Sequence, residues 1–213
     1  MKKIMPKGLY GATAENMSSG RDNIFVVKEM LDAGIRVLQY RDKNKTKLEK
    51  FKQCEIIRKI TLDYNAFFVV NDDIDIAIAV QSDGLHVGQT DLPIEYARNI
   101  VGQNMVIGLS TQNHQQAEEA TIKGADYIGV GPIFTTSTKT NIGKPLGLSY
   151  LDYCMKNMSI PKTAIGGIKI SNLKQIIKYN PENICIISEI TSANNINLTV
   201  KKIINIINQG CKM

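Results

Sequence analysis

The sequence predicts an α/β protein built as a single (β/α)8 barrel spanning residues 1–213. Three observations carry that expectation. Short β-branched segments alternate with longer amphipathic ones along the chain. Eight such units, each of roughly 25 residues, account for the length. No Pro- or Ser-rich linker separates them. Strands that are apolar on both faces and separated by helices belong to a parallel sheet. A doubly wound open sheet is the alternative arrangement for the same alternation.

The strand segments are "GLYGA", "IRVLQY", "AFFVVN", "GLHVG", "MVIGLS", "YIGVGP", "TAIGGI" and "ICIISEI". Helical segments fall between them, at 23–33, 47–62, 74–80, 93–101, 115–123, 149–156 and 172–179. The last helix, within "NNINLTVKKIINIINQG", sets Ile196, Val200, Ile203, Ile204 and Ile207 on one face and stops at a glycine.

Composition narrows the function classes. The formal charge of +6 suits anionic small molecules, but the Lys and Arg residues are dispersed, which argues against a nucleic-acid surface. Cys54, Cys154, Cys185 and Cys211 show no metal-ligand spacing and read as thiols of a reducing cytoplasm. "MKKIMPKGLYG" lacks the apolar run of a signal peptide, and no segment reaches the length of a membrane span. The expectation is a cytoplasmic protein acting on small molecules.

In a barrel, the carboxyl ends of the strands and the loops after them form the site. Polar residues recur at those ends. In "QYRDK", Gln39, Arg41 and Lys43 share one strand face, so the second strand carries cations into the mouth. The third strand ends at Asn71, followed by Asp72 and Asp73; Asp73 reads as a helix cap. The fourth runs into "GQTDLP", which places Asp91 on the neighbouring loop. Two carboxylates beside cations suit Mg²⁺ shared with an oxygen-rich anion. Ser110 ends the fifth strand. Thr136, Ser137, Thr138 and Lys139 follow the sixth, and Gly166 and Gly167 end the seventh, where backbone can approach a ligand closely. Ile187 and Ser188 close the eighth. His86 reads as a satisfied core histidine and His114 as exposed near a helix start; neither has a partner spaced for metal or triad chemistry.

The ordered set "QYRDK", "VND", "DGLHVGQTD", "IGLS", "GADYIGVGPIFTTSTK", "AIGGI" and "IIS" resembles the thiamine-phosphate synthase family over residues 39–188. The resemblance implies a transferase of thiamine biosynthesis. It would join a pyrimidine diphosphate to a thiazole phosphate, releasing pyrophosphate and giving thiamine phosphate. It implies that Gln39, Tyr40, Arg41, Asp42, Lys43, Asn71, Ser110 and Lys139 hold the pyrimidine diphosphate, with Arg41, Lys43, Ser110 and Lys139 acting in catalysis. By the same resemblance Asp72 and Asp91 bind Mg²⁺, and Thr136, Ser137, Thr138, Gly167, Ile187 and Ser188 hold the thiazole phosphate. The partners it implies are two small-molecule substrates, with room for a homo-oligomer.

Two departures stand out. The family often has His where this chain has Gln112, and Ser-Ala-Ile where it has Ser188-Glu189-Ile190. Strand alternation would send Glu189 away from Ser188. A thiazole tautomerase-like isomerase is the nearest alternative function. It uses that His and has eroded diphosphate contacts, the reverse of what stands here. A non-catalytic thiamine-precursor binding protein would not need the Asp pair.

Overall fold

The structure is a computed structural model that describes residues 2–136, 138 and 144–210. Eight parallel strands close into a barrel in sequence order. They are β1 (Gly8–Ala12), β2 (Val37–Tyr40), β3 (Phe67–Asn71), β4 (Gly84–Val87), β5 (Val106–Thr111), β6 (Tyr127–Val130), β7 (Lys162–Ile165) and β8 (Asn183–Ile186). Closure comes from β8 pairing with β1, Tyr10 standing opposite Cys185. The open sheet is therefore excluded.

Helices α1 (Asn23–Asp32), α2 (Lys47–Asp63), α3 (Ile74–Ala79), α4 (Ile94–Val101), α5 (His114–Ile122), α6 (Gly147–Asn157) and α7 (Leu173–Ile177) lie between successive strands. A four-residue α8 (Ser188–Thr191) and the final α9 (Ile196–Gly210) follow β8. Local sequence starts several of them. Asp22 accepts from Phe25 N to cap α1, and Thr46 with Glu49 forms a capping box on α2. In α9, Ile196, Val200, Ile203 and Ile207 are buried. Each such side chain contributes roughly 1.5–3 kcal/mol relative to exposure.

Period-two alternation divides each strand between two cores. Outward residues such as Leu38, Phe68, Leu85, Ile107, Ile128 and Ile184 pack under the helices. Inward ones, including Val37, Phe67, Val69, Tyr10, Tyr127 and Cys185, fill the barrel.

The two ends of the barrel are treated differently. At the amino end, the residue before an even-numbered strand is acidic at three places, and its carboxylate accepts a backbone N–H of the preceding strand. Asp83 accepts from Phe68 (2.8 Å), Asp126 from Ile107 (2.8 Å) and Glu182 from Lys162 (2.9 Å). Arg58, Arg98 and Lys162 neutralise these carboxylates. That end is satisfied and closed. Unsatisfied chemistry collects at the other. Among the described residues, no helix is long and apolar enough to cross a membrane.

The eighth strand is shorter than the sequence suggests. It ends at Ile186, and Ser188-Glu189-Ile190 turns into α8. Glu189 is thus kept from the site by a helical turn rather than by strand alternation. Its carboxylate accepts from Ile170 N at 3.1 Å.

Candidate active site

A cavity of about 880 Å³, its open mouth included, occupies the carboxyl end of the barrel. Gln39, Arg41, Asn71, Ser110, Thr136, Thr138, Gly167, Ile187 and Ser188 all line it. They come from six different strand ends or following loops, and only barrel closure brings them together.

Arg41 follows β2 and is held by its backbone: its N–H donates to Thr13 Oγ1 (2.8 Å), whose hydroxyl donates to the Arg41 carbonyl (2.9 Å). The side chain is 9 % exposed, and its Nε is buried with no partner. Burial, the largest influence, lowers the guanidinium pKa; the carboxylates of Asp72 and Asp42 act the other way. Thr163 Oγ1, on β7 in the same cavity wall, is also buried without a partner. Native interiors leave few polar atoms in that state, and a cavity lined by two of them is built for a polar ligand.

Lys43 lies above, ion-paired with Asp72. Asp72 sits at φ 61°, a left-handed position that turns its carboxylate out of the line of β3. Burial raises its pKa most; the hydrogen bond from Lys43 lowers it, and the neighbouring Asp91 carboxylate raises it again. Asp91 Oδ2 accepts from Gly88 N at 2.7 Å. The two acids therefore face one another at the rim. Among the described residues no cluster of three or more His, Cys, Asp or Glu could hold a metal unaided. A pair of hard oxygen donors fits Mg²⁺, which takes its remaining ligands from water and phosphate.

On the opposite wall, Thr136 and Thr138 form a hydroxyl turn: Thr138 N donates to Thr136 Oγ1 at 3.3 Å. This loop runs over the end of β7, where Phe134 N donates to the Gly166 carbonyl (3.0 Å). Gly167 has φ +63°, and a Cβ there would lie 2.3 Å from the Thr135 carbonyl. No other residue fits that approach. Ser137 and Lys139 lie outside the described residues.

Two residues implied by the resemblance point elsewhere. Tyr40 alternates to the outside of the barrel and donates to Gln53 Oε1 (2.9 Å). Asp42 accepts from Asn44 N (2.9 Å) and Lys45 N (3.1 Å), an Asx turn that ends β2. Neither side chain lines the cavity. Asp73 makes no cap hydrogen bond; it pairs with Lys47 and Lys50. His114 is exposed and stacks on Tyr153, centroids 3.7 Å apart.

Sequence reasoning missed Tyr10, Tyr127, Thr163 and Cys185, all of which line the cavity. They sit inside strands rather than at their ends. Their inward phase was the available signal, since each falls on the same alternation as the polar strand-end residues. His86 is a satisfied interior histidine, bonded to Tyr127 and Ser110.

Residues 9–190 match the thiamine monophosphate synthase family. The chain belongs to that family. Thiamine-phosphate synthase of Lawsonia intracellularis is 46 % identical over 195 residues, covering 92 % of this chain and 90 % of that one. The enzyme of the same name from Dictyoglomus turgidum is 47 % identical over 199 residues, covering 93 % and 89 %. Among solved structures, thiamine phosphate pyrophosphorylase from Pyrococcus furiosus superposes with a TM-score of 0.88 at 32 % identity, over 95 % of this chain and 96 % of that one. A 3-hexulose-6-phosphate synthase matches with a TM-score of 0.68 at 14 % identity, a likeness of fold alone.

Proposed function

We propose that this member of the thiamine monophosphate synthase family condenses 4-amino-2-methyl-5-(diphosphooxymethyl)pyrimidine with thiazole phosphate, giving thiamine phosphate and pyrophosphate. One observation carries the reading. Arg41, with a buried and unpartnered Nε, lines one side of a single cavity below the Asp72–Asp91 pair at its rim, and a hydroxyl and glycine wall lines the other side. Two anions of different size could be held there at once.

Arg41 faces the leaving diphosphate, and Lys43, released from Asp72, adds a second cation; both stabilise negative charge as the methylene–oxygen bond breaks. Lys139 joins them by family resemblance. Asp72 and Asp91 would hold Mg²⁺, which when bound supplies further positive charge to diphosphate oxygens. Gln39, Asn71 and Ser110 bind and orient the pyrimidine. Thr136, Thr138, Gly167, Ile187 and Ser188 hold the thiazole phosphate, so that the ring nitrogen stands ready to capture the methylene. No protein nucleophile is needed. Gln112 lines the cavity where an isomerase would want a basic His. We place the reaction in the cytoplasm, where the buried thiols of Cys54, Cys154 and Cys185 stay reduced.

The test is direct: purified protein with both substrates and Mg²⁺, following thiamine phosphate and pyrophosphate. Equal amounts of both products are expected. Product without Mg²⁺ would remove the metal from the reading, and no product with it would refute the activity.

A further inference from the structure

Arg41 and Lys43 leave β2 on the side of the site, but the acid between them is turned the other way. Asp42 Oδ1 accepts from Asn44 N at 2.9 Å and from Lys45 N at 3.1 Å, so Lys43 stands at the apex of a closed turn. Asp42 Oδ2 accepts from Asn23 Nδ2 at 3.3 Å. Asn23, the first residue of α1, is fully buried, and the same nitrogen donates to Gln53 Oε1 on α2 at 2.9 Å. At the far end of the turn Lys45 pairs with Glu15 at 2.8 Å, and the other Glu15 oxygen accepts from Asn23 N at 3.3 Å. None of Glu15, Asn23, Asp42, Lys45 and Gln53 lines the cavity.

This network anchors the backbone on both sides of Lys43 and leaves the Lys43 side chain out of the anchor. That side chain is half exposed and ion-paired with Asp72. When it leaves Asp72 for an anion, a fixed turn leaves only its side-chain torsions to be ordered; a loose turn adds backbone freedom to the loss. The network has a cost of its own. Asn23 Oδ1 is buried without a partner, a state that protein interiors avoid. Packing gives no reason for an amide there; its nitrogen does, by bridging Asp42 and Gln53.

We infer that Asp42 and Asn23 are positioning residues, which hold the turn that aims Lys43 at the leaving diphosphate. The inference rests on the diphosphate reading above. It also gives Asp42 a role that its charge allows. A free carboxylate beside a diphosphate would repel it, whereas this one is engaged by two backbone N–H groups and an amide.

The experiment is a double-mutant cycle on kcat/KM for the pyrimidine diphosphate, using wild type, Asp42→Ala, Lys43→Ala and the double variant. Asp42→Ala should cost about 10-fold in the wild-type chain and less than about 2-fold once Lys43→Ala is present. KM for the thiazole phosphate should stay unchanged throughout. A turn that merely supports the fold does not depend on the Lys43 ammonium, so equal losses with and without Lys43→Ala would overturn the inference. Absence of any loss from Asp42→Ala would overturn it too. Asn23→Ala leaves the acceptor of the turn in place and gives a second cycle if Asp42→Ala fails to fold. A several-fold loss that vanishes alongside Lys43→Ala is expected there, and one that persists would overturn the inference. Failure of the wild type to make thiamine phosphate would instead overturn the proposed activity.

Discussion

Replacing Arg41 with Met should stabilise the fold and disable the reaction. The structure sets both magnitudes. The guanidinium is 9 % exposed and its Nε has no partner. A buried unsatisfied donor costs about 1–3 kcal/mol. Attraction from Asp72 and Asp42 offsets part of that cost. A net gain of about 1 kcal/mol on removal raises Tm by about 2–4 °C for a chain of this size. Methionine keeps the apolar stem, and the space it leaves opens onto the cavity rather than the core. The backbone anchor through Thr13 is untouched. Arg41 is the one Lys or Arg among the described residues lining the cavity, so the leaving diphosphate loses its buried cation. The expected fall in kcat/KM is on the order of 100-fold, about 3 kcal/mol of transition-state stabilisation. Thermal melts and initial rates on the purified variant decide the matter. A variant that melts several degrees lower yet turns over normally while folded would show Arg41 to be a structural strand end, refuting the reasoning.

Three further outcomes are expected. Asp91→Asn should raise the Mg²⁺ concentration for half-maximal rate about 10-fold or more while the circular dichroism spectrum is unchanged; a rate curve that overlays wild type would exclude Asp91 from the metal. Asp72→Asn should raise the Tm of the metal-free protein at neutral pH. Burial and Asp91 hold the Asp72 pKa above its unfolded value, so protonation favours the folded state and that contribution fades as pH rises through the folded pKa. The gap between variant and wild type should therefore close as pH falls, and a gap that widens in acid would reverse the sign. Ser188→Ala should raise KM for the thiazole phosphate several-fold and leave that for the pyrimidine diphosphate unchanged, because Ser188 follows β8 beside Gly167 after β7, three strands round the barrel from Ser110 on β5; equal shifts in steady-state KM would contradict the division.

Much of this protein is local and therefore readable along the chain. Alternating β-branched and amphipathic segments determined eight strand–helix units, because a strand buried on both faces and a helix buried on one leave different periodicities. Polar residues at strand ends marked the mouth, since nothing in a barrel wall needs Arg41, Asn71 or Ser110 for packing. Side-chain direction past the end of a strand was not readable. Tyr40, still paired at the end of β2, follows the alternation outward, but period two fails where regular pairing stops, and so Asp42 closes a turn and Glu189 sits in a helix instead of a strand. Only closure of the barrel decided which interior residues meet. Tyr10, Gln39, His86, Ser110 and Tyr127 lie on five strands, and their hydrogen bonds join residues up to 117 positions apart. The sequence alone determined that these residues point inward; the shear of the closed sheet decided that their polar atoms come within 3.2 Å of one another.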